Sequence, residues 1–400
     1  MTSDSSLDPR TAARASRELP SPDPAAAAVS DRLAATIRAE IRSAEPPRMS
    51  FERFMDLALY APGLGYYSAG SRKFGEEGDF VTAPELTPLF SRCVARQGAE
   101  ILSRTGGDVL EFGAGSGIMA ADVLSELERI GSLPTAYLIL EVSADLRERQ
   151  RETLGLRVPH LLERVQWLEG WPDAFEGVVL ANEVLDAMPV HRFRVAAEGV
   201  QEQFVALEEE RFSEIWGEPD DSRVAQLLDA LVSGCSLREG YLSELNLAAQ
   251  DWTRQLATVL KRGAALVIDY GFPRREFYHP ERSEGTLMCH YRHRSHQNPY
   301  QFVGLQDITT HVDFTAIAEA AHGAGLRVAG FTNQANFLLA NGLAGMAEDS
   351  DEKGRLEKAA AIKRLTLPGE MGELFKVLAL TRGLEGSLTG FAWRDSRGRL

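Results

Sequence analysis

The 400-residue sequence has few cysteines and no long apolar run. Its three cysteines, Cys93, Cys235 and Cys289, lie far apart, without the spacing of a zinc site or of a disulfide framework, so we expect a reducing, cytoplasmic environment. No apolar segment is long enough to span a bilayer, which argues against membrane insertion. The first 30 residues lack the apolar core of a secretory signal, and their acids argue against a mitochondrial transit peptide.

Basic residues are outnumbered by acidic ones. There are 43 Lys and Arg against 58 Asp and Glu, which gives a formal net charge of −15. This balance argues against a nucleic-acid backbone as a partner. It is compatible with a basic protein or a cationic side chain as substrate, although acidity alone mostly favours solubility. Apolar residues make up 44% of the chain, which is enough for a large core.

The most informative segment is an apolar run with one acid, at 109–112, that passes directly into Gly-x-Gly-x-Gly. The pattern predicts a strand, a tight turn and a helix over 118–129. Glycine reaches backbone angles that other residues avoid, so a ligand can lie directly on the main chain. The free N–H groups of the helix would point back at the turn. We therefore expect a nucleotide-like cofactor at the turn, which comprises Gly113, Ala114, Gly115, Ser116 and Gly117.

The glycine spacing narrows the choice of cofactor. A dinucleotide fingerprint would have its third glycine at the position of Ile118, and no Gly-Lys-Ser/Thr of a phosphate-binding loop follows. Glu111 lies in the preceding strand, and Glu141 ends the next apolar run, where a carboxylate can accept both ribose hydroxyls. NAD enzymes use the same carboxylate, so Glu141 indicates adenosine without separating a methyl donor from a hydride donor. The alternative is a glycine turn without a ligand.

Strand-like and helix-like segments alternate from residue 109 onward, which predicts an α/β fold with a mostly parallel sheet. The predicted strands are 109–112, 137–141, 165–167, 178–181 and 264–268, with 326–331 and 375–381 as a final antiparallel pair. Helices are predicted before the first of these strands at 31–43, 51–60 and 89–103.

Several motifs resemble known proteins. The glycine turn after hydrophobic–acid–hydrophobic resembles motif I of class I S-adenosylmethionine-dependent methyltransferases. Together with the segments 78–85, 182–189, 268–271 and 368–377, it closely resembles the MidA-like family over roughly residues 48–382. That family includes a mitochondrial complex I assembly factor that symmetrically dimethylates an arginine, and bacterial relatives that mostly have no assigned substrate. The resemblance implies a Rossmann-like seven-stranded sheet, S-adenosyl-L-methionine as cofactor and a protein substrate.

Composition, sequence pattern and this resemblance together divide the chain into regions. Residues 1–30 are expected to be a disordered tail, 31–105 a helical N-terminal extension and lid, and 106–382 the methyltransferase domain. The tail 383–400 is expected to be peripheral. Two insertions interrupt the domain. The first, 192–262, contains a hairpin at 192–214 and a helix at 241–261. The second, 272–313, is expected to be irregular and is crowded with His and Arg at 289–296; the histidine spacing there lacks the second-shell acids of a zinc site, so no metal is predicted.

Two acids follow the fourth predicted strand, at the sheet edge where open α/β folds bind ligands. Glu183 and Asp186 could grip a guanidinium, which stays protonated at neutral pH, in bidentate fashion. We therefore predict them as catalytic residues, with Asn182 lining the cofactor cleft. The alternative is that Glu183 caps the next helix and Asp186 is solvated.

The remaining candidate site residues depend partly on the resemblance. His311 belongs to a Thr-His pair such as arginine methyltransferases place after the fifth strand, although a lone histidine is more often structural. Phe80, Thr82 and Pro84 lie in the lid segment, which the resemblance implies closes over the cofactor. Trp167, just after the third strand, could stack beside adenine or be buried against a helix.

The sequence thus predicts an S-adenosyl-L-methionine-dependent methyltransferase that acts on a protein arginine. Two alternatives stay open. One is a methyltransferase with a small-molecule O- or N-nucleophile, which would have a closed pocket rather than an open groove. The other is a cofactor-binding assembly factor without catalysis.

Overall fold

The computed structural model describes residues 19–68, 82–347 and 352–400. Sixteen strands occur in this part of the chain: β1 (Met49–Ser50), β2 (Asp108–Phe112), β3 (Tyr137–Leu140), β4 (Val165–Leu168), β5 (Phe175–Asn182), β6 (His191–Ala196), β7 (Gly199–Glu208), β8 (Arg211–Gly217), β9 (Leu242–Leu245), β10 (Leu260–Phe272), β11 (Met288–Tyr291), β12 (Arg294–His296), β13 (Asp307–Thr309), β14 (Val312–Asp313), β15 (Arg327–Asn333) and β16 (Phe375–Arg382).

The described ranges contain thirteen α-helices, several of only one turn: α1 (Pro24–Ser43), α2 (Phe51–Tyr60), α3 (Ala83–Leu86), α4 (Pro88–Thr105), α5 (Ile118–Arg129), α6 (Ala144–Arg157), α7 (Ser222–Cys235), α8 (Leu247–Val259), α9 (Arg274–Phe277), α10 (Phe314–Gly323), α11 (Gln334–Ala340), α12 (Glu352–Thr366) and α13 (Met371–Leu374). None of the helices in these ranges is both long and apolar enough to cross a membrane.

The central sheet has the order β15-β16-β10-β5-β2-β3-β4. The five strands from β10 to β4 run parallel, and β16 is antiparallel to both of its neighbours. The short strand β14 pairs with the end of β10. All seven predicted strands are thus present, and the expected α/β fold with a mostly parallel sheet is confirmed.

Two apolar layers cover the faces of this sheet, as parallel sheets require. On one face, α4 and α5 contribute buried side chains such as Phe90 and Leu124. On the other face, α8 and α10 contribute Leu256 and Phe314. Since both faces are covered, the strands carry continuous apolar runs, and the carboxyl edge of the sheet is left as the place for polar chemistry.

A second sheet forms where the sequence predicted only a hairpin. Residues 192–214 belong to a three-stranded meander, β6 to β8. Strand β9 adds beside β6, and β1 from the N-terminal extension pairs with β7. The helix predicted at 241–261 is wrong at its start, because residues 242–245 pair as β9 and α8 begins at Leu247. We call this five-stranded structure the inserted sheet. It joins two distant parts of the chain into one layer.

The second insertion also has regular structure, which corrects the expectation of an irregular excursion. Strands β11, β12 and β13 form a three-stranded antiparallel sheet in the order β12-β11-β13. The segment rich in His and Arg is therefore a hairpin, and its tip lies at Arg292 and His293, both of which have positive φ.

Both predicted tail boundaries are wrong. Helix α1 begins at Pro24, because Asp23 accepts the N–H of Ala26 at 2.9 Å as an N-cap and proline suits the first turn, so residues 24–30 are helical. At the other end, Leu388 and Phe391 are buried, and Ser396 donates its N–H to the carbonyl of Phe331. The last segment thus packs against β15 and is not peripheral.

Candidate active site

A cavity of about 850 Å³ opens at the carboxyl edge of the central sheet. Its walls come from the turn after β2, the ends of β3 and β5, helix α2 and the segment between β10 and β14. The predicted residues that line it are Thr82, Pro84, Glu111, Gly113, Ala114, Gly115, Ser116, Glu141, Asn182, Glu183, Asp186 and His311. Gly117 and Trp167 do not line it, and Phe80 lies outside the described residues.

The glycine turn is held in left-handed backbone angles. The φ angles are 61° at Gly113, 54° at Gly115 and 83° at Gly117, a region that residues with a Cβ rarely enter. Gly117 is the N-cap of α5, and a Cβ on it would lie 3.0 Å from the Cα of Gln150. Gly117 therefore serves close packing, whereas Gly113 and Gly115 leave bare main chain facing the cavity.

Glu141 lies buried at the tip of β3. It accepts the N–H of Ser143 at 2.9 Å and the side-chain amide of Gln150 at 3.1 Å. Gln150 also donates to the carbonyl of Gly115 at 3.0 Å. One glutamine thus connects the carboxylate with the glycine turn, and the two features that the sequence assigned to an adenosine cofactor lie side by side.

The position of Trp167 corrects the prediction that it stacks beside adenine. Its indole N–H donates to the Gln150 side chain at 2.8 Å, and the Arg151 guanidinium lies 4.7 Å from its ring centre. It belongs to the outer strand of the sheet and does not reach the cavity. Two other tryptophans do reach it, Trp171 and Trp252, whose rings lie 4.7 and 5.2 Å from that of Phe112. No motif singled out either residue, and Trp252 comes from the first insertion.

Glu111 faces the cavity from β2 and is buried. The hydroxyl of Tyr137 donates to its Oε2 at 2.7 Å. Burial raises the pKa of Glu111 to about 7, because the charged form loses its hydration. A ligand that offers hydrogen-bond donors or a positive charge in this half of the cavity would favour the charged form.

Glu183 has an unusual backbone. Its φ is +52°, which is rare for a residue with a Cβ and marks a constrained position. The Asn182 side-chain amide donates to Glu183 Oε1 at 3.2 Å. Burial, and then the charge of Asp186, raises the pKa of Glu183 to about 8. No helix follows Glu183, so it does not act as a helix cap.

Asp186 and Asp269 are buried beside Glu183. Asp269 accepts the N–H groups of Leu185 and Asp186 at 3.0 and 3.2 Å, and that of Tyr270 at 2.9 Å. Burial raises the pKa of Asp186 to about 6 and holds that of Asp269 well above its usual value, with the Asp186 charge adding to the latter. Asp186 is only 4% exposed, so it is not a solvated acid.

These carboxyl groups lack ion-pair partners among the described residues. In the described ranges, no Lys or Arg forms an ion pair with Glu183, Asp186 or Asp269. Oδ1 of Asp186 also has no hydrogen-bond partner there. Three acids brought together without a cation repel one another when charged. The arrangement is therefore suited to a ligand that supplies positive charge.

An aromatic wall faces the acids. The rings of Tyr60 and Tyr67 are stacked with centres 5.5 Å apart and an interplanar angle of 19°. Tyr60 donates to the carbonyl of Ala187 at 3.0 Å, and Tyr67 donates to Oδ1 of the buried Asp307 at 3.0 Å. Sequence reasoning missed all three lining residues, although Tyr60 ends a helix that was predicted.

His311 completes this part of the cavity. Its ring meets that of Tyr270 edge to face, with centres 5.4 Å apart, and its Nδ1 has no partner among the described residues. Burial, followed by the positive charges of Arg282 and Lys376, lowers the pKa of His311 to about 4. The imidazole is therefore neutral at physiological pH and can accept a hydrogen bond.

Other polar features do not form a metal site. In the parts of the chain that the structure covers, no group of three His, Cys, Asp or Glu side chains could hold a metal ion. Of the histidine-rich hairpin, His290 lines the cavity, whereas His293 is exposed. On the lid side, Ser116 donates to the carboxylate of Glu85, which joins the glycine turn to α3.

The cavity thus has two unlike halves. One combines bare glycine main chain, the Glu141 carboxylate and tryptophan rings, a set that fits the amino-acid tail, ribose and base of a nucleoside sulfonium. The other combines Asp186 and Asp307 with the stacked tyrosines. Asn182 and Glu183, at the end of β5, lie between the two.

Comparison with known proteins agrees with this geometry. The family model described as S-adenosyl-L-methionine-dependent methyltransferase matches residues 93–332. A solved structure from Burkholderia thailandensis, bound to S-adenosyl-homocysteine, is 46% identical, with a TM-score of 0.92, and the match covers 96% of this chain and all of that one.

Curated relatives agree as well. The mitochondrial protein arginine methyltransferase NDUFAF7 of Rattus norvegicus is 28% identical over 391 residues, which cover 85% of this chain and 82% of the relative. The homologue of Drosophila melanogaster is 28% identical over 393 residues, with 88% and 85% coverage. The resemblance found in the motifs is confirmed: the chain belongs to the MidA-like family of S-adenosyl-L-methionine-dependent methyltransferases.

Proposed function

We propose that this methyltransferase methylates the guanidinium of an arginine in a protein substrate. The observation that carries the proposal is the group of Glu183, Asp186 and Asp269. The first two line the cavity, the third holds their loop, and none has an ion-pair partner in the described residues. Arginine supplies the missing positive charge at every physiological pH and offers N–H groups in a fork that matches carboxylates.

S-adenosyl-L-methionine supplies a methyl group already activated by the positive charge on sulfur. The protein therefore contributes chiefly the position and orientation of the nucleophile. Glu183 and Asp186 each accept N–H groups of the guanidinium, so that one terminal nitrogen stays free and faces the donor. Binding the cation also lowers the pKa values of both acids, since their repulsion is then compensated.

The aromatic wall supports a cation as substrate. Tyr60 and Tyr67 present stacked ring surface within the same half of the cavity, and a guanidinium packs favourably on such a surface. The buried Asp307 beside Tyr67 adds negative potential. A neutral hydroxyl substrate would leave these acids without a counter-charge, so the small-molecule O-nucleophile fits the site less well. His311 offers its neutral Nδ1 as a hydrogen-bond acceptor for the substrate.

The other half of the cavity is proposed to hold the donor. Gly113, Ala114, Gly115 and Ser116 lie along its methionine tail, and Glu141 accepts the ribose hydroxyls. Trp171 offers a ring surface for adenine in place of Trp167. Glu111 and Asn182 line the same half, and Thr82 and Pro84 close it from the lid side.

A macromolecular substrate is supported by the cavity mouth and by the relatives. Val142 and Leu374 line the cavity and remain 68% and 38% exposed, so the opening carries apolar surface that a polypeptide can cover. The relatives at 28% identity are named protein arginine methyltransferases. The three free cysteines support a reducing, cytoplasmic location.

The test is transfer of a tritiated methyl group from the donor into desalted bacterial lysate, followed by acid hydrolysis of the labelled protein. We expect the label in methylated arginine. Glu183→Gln should bind S-adenosyl-homocysteine normally but transfer no label, whereas the matched change at exposed Glu169 should alter neither property. Label found only in small molecules, or in another amino acid, would contradict the proposal.

A further inference from the structure

The inserted sheet reaches the cavity through one buried acid. Glu244 lies on β9 and is 2% exposed. Its Oε2 accepts the N–H of Thr286 at 2.8 Å and the hydroxyl of the same residue at 3.0 Å, and its Oε1 lies 3.4 Å from the N–H of Leu287. Thr286 and Leu287 both line the cavity. A carboxylate that does not touch the cavity thus holds part of its wall.

Thr286 also links Glu244 to His311. The Thr286 hydroxyl donates to Glu244 and accepts the N–H of His311 at 3.0 Å, so a single hydroxyl links two segments of the wall. Because both hydrogen bonds use the same oxygen, the position of Thr286 fixes the backbone at His311. The path runs from the inserted sheet to the imidazole in two steps.

The approach of Glu244 to the wall is close. Gly285, with φ of +77°, precedes Thr286, and a Cβ on Gly285 would lie 2.3 Å from Glu244 Oε1. The N–H of Leu242 also bonds the carbonyl of Ser283 at 2.9 Å. The wall segment therefore lies directly against β9, and its side-chain positions depend on this carboxylate.

The charge of Glu244 is compensated inside the inserted sheet. Arg192 Nε lies 3.7 Å from Glu244 Oε1, and the Arg192 guanidinium also donates to Gln203 at 2.7 Å. Its centre lies 5.5 Å from the ring of Phe51 on α2. Glu244 is thus anchored on one side by the N-terminal extension and the inserted sheet, and its remaining acceptor capacity is directed at the cavity wall.

We propose that Glu244 is a positioning residue for methyl transfer, through which the inserted sheet sets the geometry of Thr286, Leu287 and His311 on the acceptor side of the cavity. The inference rests on the methyltransferase activity and requires only that the acceptor side is the half containing His311. The glycine turn and Glu141 have no part in this linkage, so donor binding should be independent of it.

Hydrogen exchange tests the geometry directly. In Glu244→Ala, the amides of Thr286, Leu287 and His311 should exchange at least tenfold faster, while those of the glycine turn stay unchanged. Thr286→Val should release His311 but leave the N–H of Leu287 protected. Unchanged exchange at these amides in Glu244→Ala would overturn the proposal, whatever the methyl acceptor proves to be.

Kinetics test the functional consequence. With tritium transfer into lysate as the assay, Glu244→Ala should lower the rate roughly tenfold to a hundredfold and raise the half-saturating lysate concentration. Its dissociation constant for S-adenosyl-homocysteine should stay within twofold of the wild type. Glu244→Gln keeps one acceptor oxygen, so its rate of methyl transfer should lie between those of the wild type and Glu244→Ala.

The matched control is Glu202→Ala, since Glu202 is an equally buried acid of the same sheet whose partner is His191 at 2.7 Å. It should transfer methyl groups normally at temperatures where it is folded. Equal losses of methyl transfer in the two alanine variants, or a parallel loss of donor binding in Glu244→Ala, would show that Glu244 only stabilises the fold. If the wild type labels no arginine, the proposed substrate fails, and the exchange measurement still decides this inference.

Discussion

The carboxylate of Asp269 accepts the backbone N–H of Asp186 at 3.2 Å, so one buried acid holds the loop that presents another. The same oxygen accepts the N–H of Leu185 at 3.0 Å. Between them and the end of β5 lies Glu183, whose left-handed φ of +52° is costly for a glutamate. Asp269 thus compensates a strained turn that places two carboxyl groups at the cavity.

Replacing Asp269 by asparagine should loosen this loop. One oxygen of Asp269 accepts the N–H groups of Leu185 and Asp186, and the other accepts that of Tyr270. An amide nitrogen cannot accept hydrogen bonds, so the donors facing it lose their partner at a cost of about 1–3 kcal/mol. Urea unfolding should show this loss, and methyl transfer should fall as well. Asp173→Asn, at an exposed position, should leave both unchanged. A wild-type unfolding curve for the Asp269 variant would contradict the role assigned here.

Gly115→Val should abolish binding of S-adenosyl-homocysteine. The φ of 54° at Gly115 lies in the left-handed region, which a β-branched residue avoids, and its side chain would enter a turn that lines the cavity. Isothermal titration calorimetry gives the readout. Gly155→Val, in α6 with no heavy atom within 4 Å of its added Cβ, is the control and should bind normally. Retained affinity in the Gly115 variant would refute the placement of the donor.

Glu141→Ala should weaken binding of S-adenosyl-homocysteine by roughly ten- to a hundredfold, because hydrogen bonds to a charged acceptor contribute about 1.5–3 kcal/mol. The Gln150 amide would also lose its acceptor at 3.1 Å. Glu169→Ala, on a nearby exposed surface, should bind as the wild type does. Equal affinities for the two variants would show that ribose is held elsewhere.

Methyl transfer should depend on pH between about 6 and 8. The pKa is raised to about 8 at Glu183 and to about 6 at Asp186 in the free enzyme, so both acids must lose protons before they can bind a guanidinium. We expect kcat/KM to rise with pH through this window. Glu183→Gln should remove the activity altogether, and a flat profile for the wild type would contradict the assignment.

The raised pKa values of Glu183 and Asp186 also make stability depend on pH, but stability falls with pH where activity rises. A carboxyl group whose pKa is raised on folding binds more protons when folded, so its contribution is lost as pH rises through the folded pKa. The free energy of unfolding of the free enzyme should therefore fall as the pH rises from about 4, near the ordinary carboxyl pKa, to about 8, and Glu183→Gln should show a smaller fall. Urea unfolding at several pH values measures this difference.

Phe391→Ala should destabilise the protein by about 3–5 kcal/mol, as expected for a buried aromatic side chain. Phe391 is 5% exposed and its ring lies 5.8 Å from that of Phe337. Trp393, two residues later and 64% exposed, is the matched control, and its change to alanine should cost little. Similar unfolding midpoints for the two variants would show that the last segment does not contribute to the core.

Local patterns predicted the central sheet and the half of the cavity that the glycine turn and Glu141 line. The strands of the central sheet are apolar on both faces, and the glycine turn has a spacing that few other structures require, so both could be recognised within short windows. Glu141 and Glu183 were found in the same way, because the carboxyl ends of parallel strands share one edge.

The aromatic wall of the cavity and Asp307 could not be predicted in this way. Tyr60, Tyr67 and Asp307 come from segments more than 200 residues apart, and their meeting depends on packing of the N-terminal extension. The inserted sheet was missed for the same reason, since Met49 pairs with Val205. Trp167 was predicted because it lies at the third strand, but strand position alone does not show which tryptophan a cavity reaches.

The position of β16 has a consequence for biosynthesis. This strand lies between β10 and β15, although it is the last of the sixteen to leave the ribosome. Until residue 382 has emerged, β10 lacks one neighbour and presents unpaired backbone groups to other chains in the cell. A polypeptide truncated before residue 375 lacks the strand that joins β10 to β15, so it should aggregate rather than form a smaller folded product.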